Sequence, residues 1–226
     1  MTTLFPRRVR CAVCGMESEF PTVVGAHTQG SPDLDLRPPE TQRSTLFTWV
    51  QRCPGCGYCH ADIGTACPGC RAVLESETYR EQLSNPAYPE LANAFLCKSM
   101  IDLQAGDVAK AVWAQIHAAW ACDDTGARGG AAACRGRAAA MLRSAMAEGV
   151  PVAEPEEAAV VLLVDLLRRA GDGEAALQVI QTRSGEVASG RLRRLLAFEE
   201  SLIANGDVEG HTMDEALAGG PARVPL

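Results

Sequence analysis

Six cysteines of this chain form three C-x-x-C pairs, Cys11/Cys14, Cys53/Cys56 and Cys67/Cys70, with Cys59 and His60 between the last two pairs. One such turn lets two sulfurs grip a single metal ion, and two turns complete a tetrahedral site. No other part of the sequence offers comparable chemistry. A nucleophile elbow, a phosphate-binding loop and an H-E-x-x-H helix are all missing, so no residue is assigned a catalytic role.

Three pairs are one too many for a single four-sulfur site. Proximity favours joining Cys53/Cys56 to Cys67/Cys70, which are ten residues apart. Turn chemistry favours Cys11/Cys14 with Cys53/Cys56. A metal knuckle turns its backbone N–H groups toward sulfur through a positive φ just after the second cysteine, a position suited to glycine. Gly15 and Gly57 fill that place in the first two pairs, whereas Arg71 fills it in the third. The primary zinc site is therefore read as Cys11, Cys14, Cys53 and Cys56. A second metal or redox site would use Cys59, His60, Cys67 and Cys70. Iron fits a four-thiolate site as zinc does. Cys97, Cys122 and Cys134 lie in alanine-rich helical surroundings and read as core. His27, His117 and His211 lack ligand spacing and read as packing or surface residues.

The elements that must carry these cysteines divide by composition, giving an α+β fold. Residues 1–75 are turn-rich and read as a zinc-ribbon-like metal-binding module. Phe20, Val23 and Val24 mark one strand, Leu46 to Val50 a second, and Gly25 to Pro39 the loop between them. The 38 residues separating Cys14 from Cys53 suffice for two strands that bring the knuckles together. The closure penalty grows only logarithmically with loop length.

Residues 76–226 read as a domain of helical hairpins, with a boundary near 72–88. Apolar residues at helical spacing predict helices from Glu90, from Asp107, over Ala127–Ala147, over Pro155–Ala170, over Glu174–Gln181 and over Arg191–Ala204. The second of these is apolar on two sides, with Trp113 and Trp120 on a separate stripe, and so expects two neighbours. Gly-Asp recurs at 106, 171 and 206, at intervals of 65 and 35 residues. These intervals approximate two units and one unit of a tetratricopeptide-like period. Any helical hairpin also favours glycine at its C-terminal cap. Residues 210–226 are expected to fray.

Charge narrows the function further. Residues 1–75 balance seven Arg against seven Asp/Glu, and residues 76–226 carry the whole net charge of −7. Neither half has the basic excess of a general nucleic-acid binder. No apolar run reaches the roughly 20 residues that span a bilayer, and no leader is visible. The expected compartment is the cytoplasm, where clustered cysteines bind metal more often than they form disulfides. Ser31 to Glu40, with Asp33, Asp35, Arg37 and Glu40, has two readings. It either caps turns and salt-bridges over the metal module, or it offers a polar surface to a ligand or partner.

Several ordered motifs carry a resemblance. Cys11-x-x-Cys14-Gly15 is followed by Asp33-Leu34-Asp35-Leu36-Arg37-Pro38-Pro39-Glu40, then by Trp49-Val50-Gln51 and Cys53-Pro54-x-Cys56-Gly57-Tyr58. Tyr88-Pro89-Glu90-Leu91-Ala92 and Ala118-Ala119-Trp120 continue the series. Together they resemble the bacterial domain of unknown function 2225 family over roughly two-thirds of the chain. The resemblance implies a metal-binding N-terminal part and tetratricopeptide-like helices, with no assigned activity. It also implies the pairing of Cys11/Cys14 with Cys53/Cys56, and leaves Cys67 and Cys70 outside its pattern. The combined expectation is a non-enzymatic zinc-stapled adaptor whose helices bind a protein partner. The alternative is a thiol-based redox or metal sensor using Cys59, Cys67 and Cys70.

Overall fold

The structure, a computed structural model, describes residues 3–25, 28–184 and 189–219. His27 and residues 220–226 lie outside the described residues. The first cysteine pair sits at the turn of an antiparallel hairpin, β1 (Thr3–Arg10) and β2 (Glu17–Gly25), in which Pro6 faces Pro21. The second pair sits at the turn of a short hairpin, β3 (Gln51–Arg52) and β4 (Cys59–His60). Each knuckle is thus closed by its own flanking strands. Two strands, β2 and β3, lie between Cys14 and Cys53 as expected, and each pairs within its own hairpin.

Leu46 to Val50 is not a strand. A 3-10 helix covers Arg43–Thr48, and its hydroxyls explain the difference. Thr45 Oγ1 donates to Gln42 O at 2.7 Å, Thr48 Oγ1 donates to Thr45 O at 2.8 Å, and Trp49 Nε1 donates to Thr45 Oγ1 at 3.0 Å. Local side-chain bonds of this kind compete with a sheet ladder and here replace it.

Nine α-helices follow among the described residues: α1 (Cys70–Glu75), α2 (Glu77–Leu83), α3 (Glu90–Gln104), α4 (Val108–Asp124), α5 (Arg128–Ala147), α6 (Glu156–Arg169), α7 (Gly173–Ser184), α8 (Gly190–Ala204) and α9 (Met213–Ala218). The two-sided apolar pattern of α4 is met by α3 on one side and α5 on the other. None of the helices is long and apolar enough to cross a membrane.

α3, α6 and α8 all end alike, on Gly106, Gly171 and Gly206 with φ of 80°, 87° and 65°. In each case the following Asp N–H reaches back to a carbonyl in the last helical turn, at 2.8, 2.9 and 3.0 Å for Asp107, Asp172 and Asp207. The same closure occurs without aspartate at Gly126-Ala127 and Gly149-Val150. The Gly-Asp recurrence thus coincides with a left-handed glycine cap at each position.

The composition change near residues 72–88 is a change from strand to helix. The compact units divide elsewhere: one comprises residues 1–28 with 40–152, the other 29–39 with 153–226. In the second unit the segment 29–39 is tied to the chain's end. Asp33 bridges Thr212, Leu34 N–H donates to His211 O at 2.8 Å, and Met213 N–H donates to Pro32 O at 2.9 Å. Residues 213–218, expected to fray, form α9. Thr212 and Glu215 make a reciprocal capping box at its start. Replacing that cap, Thr212→Ala, is expected to lower stability by about 1 kcal/mol. Chemical unfolding of the full chain, followed by far-UV circular dichroism, measures the change.

Candidate metal centre

The two knuckles are built alike. In the first, Cys11 N–H donates to Met16 O at 2.8 Å and Gly15 N–H donates to Cys11 O at 2.9 Å; in the second, Cys53 N–H donates to Tyr58 O and Gly57 N–H to Cys53 O, both at 2.9 Å. Gly15 and Gly57 hold φ near 77° and 76°. Only glycine adopts that conformation without strain, which is why it follows the second cysteine in both turns. At Gly55 the backbone passes so close to the first knuckle that an added Cβ would lie 2.9 Å from the Met16 sulfur.

These turns bring Cys11, Cys14, Cys53 and Cys56 together, with all four sulfurs within 4.8 Å of one another. Across the two hairpins, Cys11 Sγ lies 3.7 Å from Cys56 Sγ and Cys14 Sγ lies 3.5 Å from Cys53 Sγ. A tetrahedron with zinc–sulfur arms near 2.3 Å has edges of about 3.8 Å. The cluster can therefore hold a metal ion of zinc's size and ligand preference. Burial pushes the Cys53 and Cys56 thiols up. The exposed Cys14 is pulled down to about 7, first by the Met16 backbone N–H and further by the neighbouring sulfurs. A bound cation would replace thiol protons and offset repulsion among four thiolates.

Residues after the second knuckle lock the hairpins together. Ala12 N–H donates to Ile63 O at 2.8 Å, and Ile63 N–H donates to the buried Gln51 side chain at 3.0 Å. Tyr79, from α2, was missed in the sequence, although Ser76 three residues earlier has the spacing of a helix cap. Its hydroxyl donates to Gly57 O at 2.9 Å and accepts from Cys59 N–H at 3.1 Å. The knuckle's own glycine is thereby clamped to a helix.

The remaining cysteines are placed differently. Among the described residues no other group of three or more candidate ligands converges. Cys59 is fully buried, donates to Gly57 O at 3.3 Å and lies beside Cys97. His60 Nδ1 sits 2.9 Å from Asp62 O and its ring stacks on Tyr58. Cys67 faces Ile101 O at 3.8 Å, while Cys70 begins α1, with Gly69 rather than Arg71 holding the positive φ. The third C-x-x-C is thus a helix start and not a third knuckle. Cys97, Cys122 and Cys134 are fully buried, the last two against each other. His117 packs among Trp49, Trp113, Trp120 and Phe95 with ring centroids 5.0–5.8 Å away, and its burial lowers its pKa to about 3. His211 Nε2 lies 3.0 Å from Asp207 Oδ2.

Most polar side chains singled out in the Ser31–Glu40 segment are withdrawn from solvent. Asp33, Asp35 and Arg37 are buried, Glu40 alone of the four is exposed, and Asp35 Oδ2 accepts from Arg169 Nη1 at 2.7 Å within the second unit. Comparison with protein-family profiles, with curated proteins and with solved structures gave no match.

Two variants test how the helices support the knuckle. Gly57→Ala meets both the positive φ and Leu83, whose Cδ2 would lie 2.6 Å from the new Cβ. The left-handed backbone alone costs roughly 1–2 kcal/mol. Competition titration with a zinc chelator should show affinity reduced about tenfold or more. Tyr79→Phe removes both hydroxyl bonds, to Gly57 O and from Cys59 N–H, costing about 1–3 kcal/mol. Its effect on unfolding should shrink markedly when metal is stripped.

Proposed function

We propose that this protein is a non-enzymatic adaptor whose N-terminal hairpins are stapled by one structural zinc ion. In this reading the helices present a face to a protein partner in a reducing, cytoplasmic setting. Convergence of four sulfurs from two similar knuckles carries the proposal. All four positions are filled by cysteine, which favours a closed structural site over a catalytic one that keeps a position open. A structural zinc supplies roughly 10–16 kcal/mol of folding free energy. That is decisive for hairpins whose large apolar side chains Leu4, Phe5 and Val24 remain exposed.

We further propose that the fold is zinc-ribbon-like followed by tetratricopeptide-like hairpins, as in the bacterial domain of unknown function 2225 family. The motif series from Cys11 to Trp120 supports this membership. The rival sensor reading has less support. Cys59 is buried under Tyr79, and Cys67 and Cys70 lie in a helix start outside the sulfur cluster.

Elemental analysis of protein purified without added metal tests the staple. Native protein should carry one zinc per chain, as should Cys67→Ser/Cys70→Ser. Cys11→Ser/Cys53→Ser should carry none and lose the near-UV signal of the hairpins. A zinc-free but fully folded native chain would sink the proposal. So would loss of metal on changing Cys67 and Cys70.

A further inference from the structure

In the second unit, α6 and α8 meet across charges fully removed from water. Arg168, Asp165 and Glu199 are each no more than 2% exposed. One guanidinium serves both acids: Arg168 Nε donates to Glu199 Oε2 at 2.6 Å, and Nη2 donates to Asp165 Oδ1 at 2.5 Å. Its remaining Nη1 is occupied by the carbonyls of Asp207 and Glu209, at 2.8 and 3.0 Å. Glu199 Oε1, also buried, receives no hydrogen bond among the described residues, and the Asp165 carboxyl lies within hydrogen-bonding reach of Glu199.

Two ionised carboxylates in contact repel, and desolvation makes the second charge expensive. A proton held between them removes one charge and supplies the donor that Glu199 lacks. We propose that Asp165 and Glu199 share one proton at neutral pH, and that this proton locks α8 onto α6. In alkaline solution the proton passes to a solvent base. The two buried carboxylates then repel each other, and the helices loosen.

The other charged groups nearby are already engaged. From α6, Arg169 donates to Asp35 at 2.7 Å and lies 3.8 Å from Asp165. Asp207, in the α8–α9 connection, is 3.8 Å from Arg168 and pairs with His211, which also faces Glu215 of α9 at 3.7 Å. α7 carries Glu174 and Arg183, and Arg183 pairs with Glu156 at 3.5 Å. The segment 29–39 adds the buried Asp33 and Arg37. Burial first, then the Asp165 charge, hold the Glu199 carboxyl up at about 8, against the pull of Arg168.

An unfolded glutamate titrates near 4.3. Between about pH 4.3 and 8 the folded chain therefore holds a proton that the unfolded chain releases. Stability falls as pH rises through that window and levels off above it.

The test compares metal-replete full-length protein with Glu199→Gln, whose amide can accept from Arg168 and donate to Asp165 without titrating. Between pH 6 and 8 the native unfolding constant should rise by up to tenfold per pH unit more than that of the variant. Thiol titration, common to both proteins, cancels. An infrared carbonyl band of a protonated carboxylic acid should be present in native protein at pH 7 and be lost by pH 9. It should be missing from Glu199→Gln at both. Equal pH dependence of the two proteins, or the absence of that band at pH 7, overturns the proposal. If Glu199→Gln fails to fold, the native infrared titration and Asp165→Asn decide the matter on the same criteria.

Discussion

Four sulfurs from turns 39–45 residues apart in sequence occupy one small volume, and the two N-terminal hairpins meet around it. Hydrophobic burial alone gives a weaker account. Along β1 only Val9 is buried, and β2 buries no residue fully. A two-stranded hairpin on its own is marginal in water. The thiols also compete with each other: burial resists ionisation at Cys53 and Cys56, while Cys14 ionises more readily at the surface. A divalent cation held by the four sulfurs would resolve both problems, neutralising the thiolates and fixing the separation of the hairpins.

Tyr79 ties the second knuckle to the helices. Tyr79 uses both hydrogen-bonding functions of its hydroxyl, donating to Gly57 O and accepting from Cys59 N–H. Leu83 closes over the same glycine, so Gly57 is constrained by its backbone angle and by lack of space. The geometry around sulfur is therefore transmitted to α2, and from there to α3, against which α2 packs.

Legibility followed the range of the interactions. The glycine after the second cysteine is a local requirement, and it separated the two knuckles from the third C-x-x-C at once. Long helices were also readable, because their periodicity spans many residues; even α5 forms despite Gly129, Gly130 and Gly136. Gly129 and Gly136 lack nearby atoms that a side chain would strike. The expected strand at Leu46–Val50 failed on another local effect, since Thr45 and Thr48 bond to backbone carbonyls in place of a ladder. Helices as short as α1 and α2 carry too few residues for a period to show. The Gly-Asp recurrence coincides with a glycine cap used at five helix ends, two of them without aspartate.

The polar segment 29–39 shows where local reading stops. Its aspartates resembled a surface because their partners are distant in sequence: Asp35 meets Arg169, 134 residues away, and Asp33 meets Thr212. Composition cannot distinguish an exposed carboxylate from a buried one, since the distinction is made by the cation that pairs with it. Arg168 sharpens the point. It is a charged residue near a helix C-terminus, where an exposed side chain complementing the helix dipole would be the ordinary reading. Instead it is buried, bonded to two acids and two carbonyls, and it organises α6, α8 and the turn before α9. A cation at the core of a helical unit fixes direction as well as distance, because guanidinium bonds are planar. Apolar packing of α6 against α8 alone would restrict the crossing angle only to a few broad classes.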